Sequence, residues 1–253
     1  MKIKDNRRQI SHHNKLSKSA KSIPYFNFTD YELNSLSYRK ALIYDKRKYY
    51  QYYLSLLKLK HPLLFSFFPR KDYNIFIIKV DIFLLSFAIN YAINALFFTE
   101  ATIHQIYSDR GKYNLSYLFP KIILSFIFSY IINIMMKFIF LSERNIIKIK
   151  IQESRKKAVD IAEKVKRCLI IKYIIFFLLW GLFLLLFWYY LSSFCAVYQN
   201  TQIFLILNTF ISFGLSLLFP FLYNLLPTLL RELSLKKQNR KILYNISKIL
   251  QFI

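Results

Sequence analysis

The sequence predicts an all-α integral membrane protein, with four transmembrane helices in two hairpins and further amphipathic helices on the cytoplasmic side. The first observation is composition: the 253 residues are 55% hydrophobic, yet they include 37 Lys and Arg against 13 Asp and Glu. The second is segregation, because Phe, Ile, Leu and Tyr fill long runs while Lys and Arg fill the gaps between them. The third is length, since four of these runs reach the roughly 20 residues that a helix needs to cross a bilayer.

Residues 1–28 are basic and polar and have no apolar period, so we expect a disordered cytoplasmic tail. They contain no apolar core of the length that a signal peptide needs, and the first span is therefore expected to direct the chain to the membrane. His12 and His13 are adjacent, but no further metal ligand lies near them, which favours a solvated pair over a metal site.

Residues 29–74 are expected to form amphipathic helices beside the membrane, with one or two of them between Asp30 and His61. Thr29 or Asp30 can cap the first helix, and Pro62 is expected to end this stretch. The aromatic segment 63–74 is too short to span. It lies either in the membrane interface or against the cytoplasmic end of the bundle.

Four apolar segments then follow, which together form the membrane domain 75–230. The predicted spans are residues 75–98, 118–141, 169–197 and 203–230. A polar loop joins the first two, and the five residues YQNTQ join the last two. Between the second and third spans we expect a helix that continues into the cytoplasm and then returns. Pro220 and Pro227 are expected to kink the fourth span, and residues 231–253 to form a basic, partly amphipathic cytoplasmic tail.

The basic residues predict the orientation of these spans. Lys and Arg number 16 in residues 1–74, nine in 142–168 and six from Arg231 onward, against two in 99–117 and none in 198–202. Positive residues are retained on the cytoplasmic side of a membrane, so we expect both termini and the long middle segment there.

The net charge of +24 would also suit a nucleic-acid-binding protein. The alternation of basic segments with apolar spans favours lipid instead, because such segments lie against anionic headgroups at the cytoplasmic face. The expected partners are therefore the lipid bilayer, its anionic lipid headgroups, and other membrane subunits or a second copy of the chain, with no nucleic acid.

Polar residues recur at a spacing of four in three of the spans, so that each set shares one helix face. The sets are Ser86, Asn90 and Asn94 in the first span, Ser125, Ser129, Asn133 and Lys137 in the second, and Asn208, Ser212 and Ser216 in the fourth. One interpretation is that they hydrogen-bond across the helix interfaces and hold the bundle together. The other is a polar path for a solute between spans one, two and four. The sequence favours the first interpretation, because no acidic ring marks a filter.

Asp81 and Lys137 are charged residues within the spans. In an antiparallel hairpin both lie roughly 6–9 Å inside the same membrane face, at 1.5 Å per residue. They either pair across the two helices, or remain separate, with Lys137 extended to the headgroups and Asp81 beside Lys79 or water.

Signatures of catalysis and metal binding are absent from the sequence. With three Gly in the chain, a phosphate-binding loop and a dinucleotide fingerprint are excluded, and neither HExxH nor CxxC occurs. Cys168 and Cys195 flank one span, roughly 40 Å apart, whereas a disulfide needs Cα atoms within about 7 Å. We therefore expect two free thiols, no enzyme activity, no cofactor and no metal site. Cys168, next to basic residues at a membrane edge, is a palmitoylation candidate.

Five stretches carry a resemblance to known proteins: DYELNSLSYRKALIYDKRKYYQYYLSLLK, HPLLFSFFPRKDYN, FFTEATIHQIYSDRGKYN, SSFCAVYQNTQ and SFGLSLLFPFLYNLLPTLLR. From Asp30 to Ile253 the chain resembles the C-terminal multi-pass membrane region of uncharacterised transmembrane proteins of ciliates and other protists. The resemblance implies a membrane domain but no activity and no ligand residues. In that family the region often ends a longer polypeptide, so we expect this chain to be a short member or a fragment.

Two functions follow from these observations. The favoured one is a structural or anchoring membrane domain of a larger protein or assembly. The alternative is a channel or transporter subunit with its polar path between spans one, two and four.

Overall fold

The computed structural model describes residues 28–68, 72–150, 152, 154–199, 201–236 and 240–251, and this part of the chain is all-α, without a strand. Its twelve helices are α1 (Asp30–Ser35), α2 (Tyr38–Tyr44), α3 (Tyr49–Lys60), α4 (Pro62–Phe67), α5 (Phe76–Leu96), α6 (Glu100–Ser108), α7 (Leu115–Phe140), α8 (Glu143–Lys150), α9 (Arg155–Val197), α10 (Gln202–Tyr223), α11 (Leu225–Lys236) and α12 (Lys241–Leu250). The predicted disordered tail lies outside the described residues, apart from Phe28.

Four helical stretches are long and apolar enough to cross a membrane, as predicted. They contain α5, α7, α9 and α10. In the structure α5, α7 and α10 pack against one another. Helix α9 lies outside them and contacts α8 and, among the three, mainly α5. Only 6% of the most apolar part of α9 is buried, against 28–44% for the other three stretches.

The expected pair of hairpins is formed only in part. Helices α5 and α7 pack together as predicted, but within the described chain α9 and α10 do not pack along their lengths. The polar stripes supply the physical reason. Helix α10 carries such a stripe and turns it towards α5 and α7, whereas α9 has none and packs through apolar side chains such as Phe176.

Between Asp30 and His61 the chain forms three short helices, α1–α3, rather than one or two, and α4 follows them. Thr29 caps α1 as predicted: its hydroxyl accepts from the Glu32 amide at 3.2 Å, and the Glu32 carboxylate accepts from the Thr29 amide at 2.7 Å. Pro62 follows the end of α3 but also begins α4, because proline suits the first position of a helix.

The aromatic segment after Pro62 packs on the bundle. Phe65 is 2% exposed, and the Ser66 hydroxyl donates to the Lys79 carbonyl of α5 at 3.0 Å. Phe67 and Phe68 point outward and are exposed. Phe65 therefore packs against the end of the bundle, which was one of the two predicted positions. Phe67 and Phe68 are exposed, as a position in the membrane interface requires.

The connection between α5 and α7 is not only a polar loop. It contains α6, whose Ile103 and Ile106 are buried at helical spacing. Helix α7 begins at Leu115, three residues before the predicted start, because the Asn114 side chain caps it by accepting from the Tyr117 amide at 3.2 Å.

The second span does not continue as one helix. The chain breaks at Leu141 and Ser142, where the Asn74 side-chain oxygen accepts from the Ser142 and Glu143 amides, each at 3.1 Å. These bonds start α8 as a separate helix. After it, α9 begins at Arg155, fourteen residues before the predicted third span, and its 43 residues form one helix.

The C-terminal segment is folded within its described part. Helix α10 ends at Tyr223, because Pro227 has no N–H to donate to the Tyr223 carbonyl. Helix α11 follows, and α12 folds back against it and reaches α2. We call the bundle end that is covered by α1–α4, α8, α11 and α12 the capped end. The opposite end, formed by α6 with Tyr198, Gln199 and Thr201, is the loop end.

Candidate functional site

The three predicted polar stripes meet in the centre of the bundle. One stripe lies on each of the helices α5, α7 and α10, and together the three stripes have ten side chains. Nine of these are at most 8% exposed: Ser86, Asn90, Asn94, Ser125, Ser129, Asn133, Asn208, Ser212 and Ser216. Lys137, the tenth, is half-buried at the capped end. Sequence reasoning therefore placed these residues correctly on the helix faces that point inward.

The stripes of α5 and α10 are joined by direct hydrogen bonds. Asn90 Nδ2 donates to Ser212 Oγ at 2.9 Å, and the Ser212 hydroxyl donates back to Asn90 Oδ1 at 3.1 Å. Asn94 Nδ2 donates to the Asn90 carbonyl at 2.8 Å. Such bonds satisfy polar groups away from water and hold helices together.

The loop end is closed by an aromatic side chain from the connection before α7. The Tyr113 hydroxyl donates to Asn208 Oδ1 at 2.5 Å, and its ring stacks on Phe204 with centroids 6.0 Å apart. Leu205 belongs to the same apolar cluster as Tyr113 and Phe204. Leu118 and Ile122 precede Ser125 on the same face of α7, and all three apolar side chains are at most 1% exposed. Apolar packing therefore separates this end from the bundle centre.

The stripe of α7 differs from the other two. Ser125 Oγ, Ser129 Oγ and Asn133 Oδ1 are buried and have no hydrogen-bond partner among the residues that the structure describes. Buried polar groups in native proteins bond to protein or to ordered water, and leaving one unsatisfied costs about 1–3 kcal/mol. This face therefore has unused hydrogen-bonding capacity.

A cavity of about 220 Å³ lies beside this face. Its deep part is lined by Ser86, Asn90, Ser129, Asn133 and Ser216, and its apolar wall includes Leu56, Phe65 and Ile134. It reaches the surface at the capped end, where the exposed side chains of Phe138 and Arg144 line it. The volume corresponds to about seven molecules of liquid water.

Cationic side chains surround the outer part of the cavity. Lys60, Lys137 and Arg144 line it, together with one carboxylate, Glu143. Lys60 Nζ donates to the Leu250 carbonyl at 3.4 Å, and burial lowers the pKa of Lys60 to about 8. The outer cavity is therefore a positively charged environment.

The expected ion pair between Asp81 and Lys137 is not among the ion pairs of the described residues. Lys137 Nζ instead donates to the Lys60 carbonyl at 3.3 Å and lies 4.8 Å from the centre of the Phe65 ring. Lys79 pairs with Asp72 at 3.3 Å rather than with Asp81. The cross-helix pair is therefore not found in the described part of the chain, and Lys79 is not the partner of Asp81. Helices α3 and α4 cover this end of the hairpin and supply a carbonyl and a ring to Lys137.

The helices that cover the cavity are held by a buried group of charges, which we call the arginine cluster: Asp45, Arg47 and Arg231. The guanidinium of Arg231 donates to Asp45 Oδ2 from Nη2 at 2.7 Å and from Nε at 3.1 Å. It also donates to the backbone carbonyls of Leu33 at 2.8 Å and Asn34 at 3.3 Å. These bonds tie α11 to the chain around α1 and α2.

Arg47 binds the other side of the same carboxylate. Its Nε lies 2.7 Å from Asp45 Oδ1, and its Nη1 donates to Ser55 Oγ of α3 at 3.0 Å. Burial alone would raise the pKa of Asp45, but the two guanidinium groups outweigh burial and hold this pKa below its ordinary value. The carboxylate therefore remains charged between two arginines.

Sequence reasoning missed the arginine cluster. Its signal lies in α11, where Pro227, Thr228, Arg231 and Ser234 are buried at spacings of one to three residues that place them on one helix face. The predicted fourth span includes Pro227 and Thr228, and the predicted tail begins at Arg231. An arginine on such a face is instead typical of burial against a carboxylate. The carboxylate itself lies 186 positions away in sequence.

Other features of the site are simple. Within the described ranges, no three His, Cys, Asp or Glu side chains are grouped so that they could hold a metal ion; His12 and His13 fall outside those ranges. Cys168 is exposed and Cys195 half-buried, and both are free thiols, as predicted.

Comparison of the chain with protein-family models, curated proteins and solved structures finds no match.

Proposed function

We propose that this chain is a multi-pass membrane protein with a structural role, in which a closed four-span domain anchors the helices of the capped end, and the assembly they belong to, at a membrane. The capped end faces the cytoplasm together with both termini. Support for this orientation comes from the basic residues, which are concentrated in the segments at that end.

The main support for the structural role is that the polar interior opens at the capped end and is closed towards the loop end. Asn90 and Ser212 bond to each other across the space between α5 and α10. The lining of the cavity extends no deeper than the level of these residues and Ser129. Beyond them lie the buried side chains of Leu118 and Ile122. A polar interior that is bonded between α5 and α10 and sealed at one end stabilises a domain and offers no continuous path.

Helix α9 supports a role in assembly. Its 43 residues extend for about 65 Å, roughly twice the 30 Å of a bilayer's hydrocarbon core. The charged part that begins at Arg155 therefore extends beyond the membrane on the capped side. The apolar part exposes residues such as Leu182, Leu185 and Leu186 on the side away from α5, where lipid or the helix of another subunit packs.

A second candidate function, a channel or transporter subunit, is favoured by one observation. The α7 stripe leaves Ser125, Ser129 and Asn133 without partners in the described chain. Unsatisfied polar groups on one helix face are expected along a water-filled path that opens in another conformation.

Solute flux separates the two functions. The purified chain is reconstituted into sealed vesicles loaded with K⁺ and a pH-sensitive dye. The structural role predicts K⁺ and proton leak equal to that of protein-free vesicles, and an added ionophore that exchanges K⁺ for H⁺ then gives the full signal. Flux that rises with the amount of protein would reject the structural role and support the second candidate.

A matched variant shows whether the bond in the interior closes the path. Asn90→Ala combined with Ser212→Ala removes the bond between α5 and α10. Flux that appears only in this double variant supports a closed domain in the natural chain, since the bond then acts as the seal. Flux in the natural chain that the variant leaves unchanged contradicts the proposed closure.

A further inference from the structure

The central cavity contains the features of a binding site rather than of a packing defect. Genuinely empty cavities in proteins are apolar, whereas Ser129 and Asn133 line this one and are 4% and 8% exposed. Ser129 Oγ and Asn133 Oδ1 have no hydrogen-bond partner among the described residues. An amide oxygen accepts and a hydroxyl can donate or accept, so an occupant must offer a donor to Asn133 Oδ1 and can bond Ser129 with either a donor or an acceptor; a hydroxyl group meets both needs.

The charges of the cavity favour an anion. Among the described residues, three cationic side chains and one carboxylate line it. The hydrogen bond of Lys60 is to a backbone carbonyl, and its ammonium lies 5.1 Å from the centre of the Tyr223 ring. Burial lowers the pKa of Lys60 to about 8, which shows that the charged form is held at a cost. An anion beside Lys60 and Lys137 would remove that cost.

The position of the opening indicates where the anion comes from. Lys137 lies one turn beyond Asn133 on α7, and Phe138 beside it is 64% exposed at the end of the span. In the proposed membrane placement, Lys137 and Phe138 therefore lie at the depth of the lipid headgroups. The cavity volume of about 220 Å³ admits a small polar group but not two acyl chains, so the chains of a bound lipid lie outside, against Phe138 and the lipid-facing side of α7.

We propose that the cavity binds the phosphate and hydroxyl groups of one anionic phospholipid headgroup, drawn from the membrane leaflet at the capped end. The phosphate lies between Lys60 and Lys137 near Arg144. The hydroxyl groups extend inward to Asn133 and Ser129. The inference depends on the four-span placement but not on whether the domain transports a solute.

The test uses the full chain, purified in a neutral detergent and titrated with short-chain phosphatidylglycerol while bound lipid is counted by native mass spectrometry. Dihexanoyl phosphatidylcholine has the same chains and a headgroup with no net charge and no hydroxyl. Glycerol 3-phosphate has the polar group without chains. We expect one phosphatidylglycerol per chain, with at least tenfold weaker binding of the other two.

Variants then locate the site. Lys60→Met and Lys137→Met should each weaken phosphatidylglycerol binding about tenfold to a hundredfold, since a hydrogen bond to a charged group is lost. Lys148→Met is the matched control, because Lys148 is an exposed lysine of α8 at the same end and outside the cavity lining. Lys60→Arg and Lys137→Arg keep the charge and should bind within a few-fold of the natural chain, which separates lost binding from lost folding.

Three results would overturn the proposal. Equal binding of phosphatidylcholine would show that the headgroup is not recognised. An equal effect of Lys148→Met would show attraction to surface charge instead of a site. Equal binding of glycerol 3-phosphate would show that the ligand is a soluble phosphate ester and not a lipid. None of these outcomes changes the flux measurement, so the failure of this proposal is distinct from the failure of the structural role.

Discussion

Replacing Arg231 with methionine tests whether the arginine cluster holds the capped end together. Methionine keeps much of the apolar stem but removes the guanidinium group. The change deletes two bonds to Asp45 and leaves the Leu33 carbonyl, at 2.8 Å in the natural chain, without its donor. It also removes the cation from between the rings of Tyr52 and Tyr244, whose centres lie 4.6 and 4.9 Å from it.

The size of the effect follows from burial. Removing one partner of a buried ion pair costs about 3–5 kcal/mol, because the other charge remains buried. Asp45 retains Arg47 in this variant, so we expect the lower limit, about 3 kcal/mol. Glu232→Gln is the control: it breaks a pair with Lys236, which is 69% exposed in the same helix, and should cost less than about 0.5 kcal/mol.

Thiol labelling under native conditions measures the opening of this region. A cysteine replaces Ser247 of α12, which is 0% exposed, in a background where Cys168 and Cys195 are serine. Because 1.4 kcal/mol corresponds to tenfold, Arg231→Met should speed labelling about a hundredfold over the natural cluster. A rise no larger than that of Glu232→Gln would refute the view that the cluster holds α11 and α12 in place.

Three further predictions concern other buried groups. The pKa of Asp45 is depressed in the folded chain, so its contribution to stability is complete above about pH 4 and is lost as the pH falls further; denaturation midpoints of the natural chain and Asp45→Asn should converge below that pH, and midpoints that stay apart would contradict this. Asn90→Ala and Ser212→Ala should each lower stability by about 1 kcal/mol, and the double variant should cost less than their sum; strict additivity in detergent melts would argue against their bond. Asp81→Asn and Lys137→Gln should be additive within about 0.5 kcal/mol, because the two residues do not pair; a coupling above 1 kcal/mol would restore the ion pair.

The spans and their inward faces were predictable from the sequence because both depend on local periodicity. A run of apolar residues identifies a helix of membrane length, and polar residues four apart identify the side that avoids lipid. Asn90 and Ser212, for example, belong to the predicted stripes of the first and fourth spans, and the structure joins them by a hydrogen bond of 2.9 Å. The free thiols Cys168 and Cys195 followed from the helix that separates them.

Features that depend on distant partners were not predictable. Helix α6 has only Ile103 and Ile106 as a buried face between polar residues, which is too weak a period to distinguish from a loop. The separate start of α8 depends on the side chain of Asn74, which is 68 positions from Ser142. The partner of Lys137 is a backbone carbonyl 77 positions away, and no residue pattern marks a carbonyl.

The central claim, a four-span domain with both termini on the cytoplasmic side, is tested most directly by the sidedness of single cysteines in sealed, uniformly oriented vesicles. Cysteines replace the exposed residues Lys112, Lys157 and Lys241 in the cysteine-free background. Lys112 is used because neighbouring Gly111 has a φ of +74°, where a side chain would be strained. A membrane-impermeant reagent should label positions 157 and 241 from one side and position 112 only from the other. Labelling of all three from the same side would contradict the four-span account.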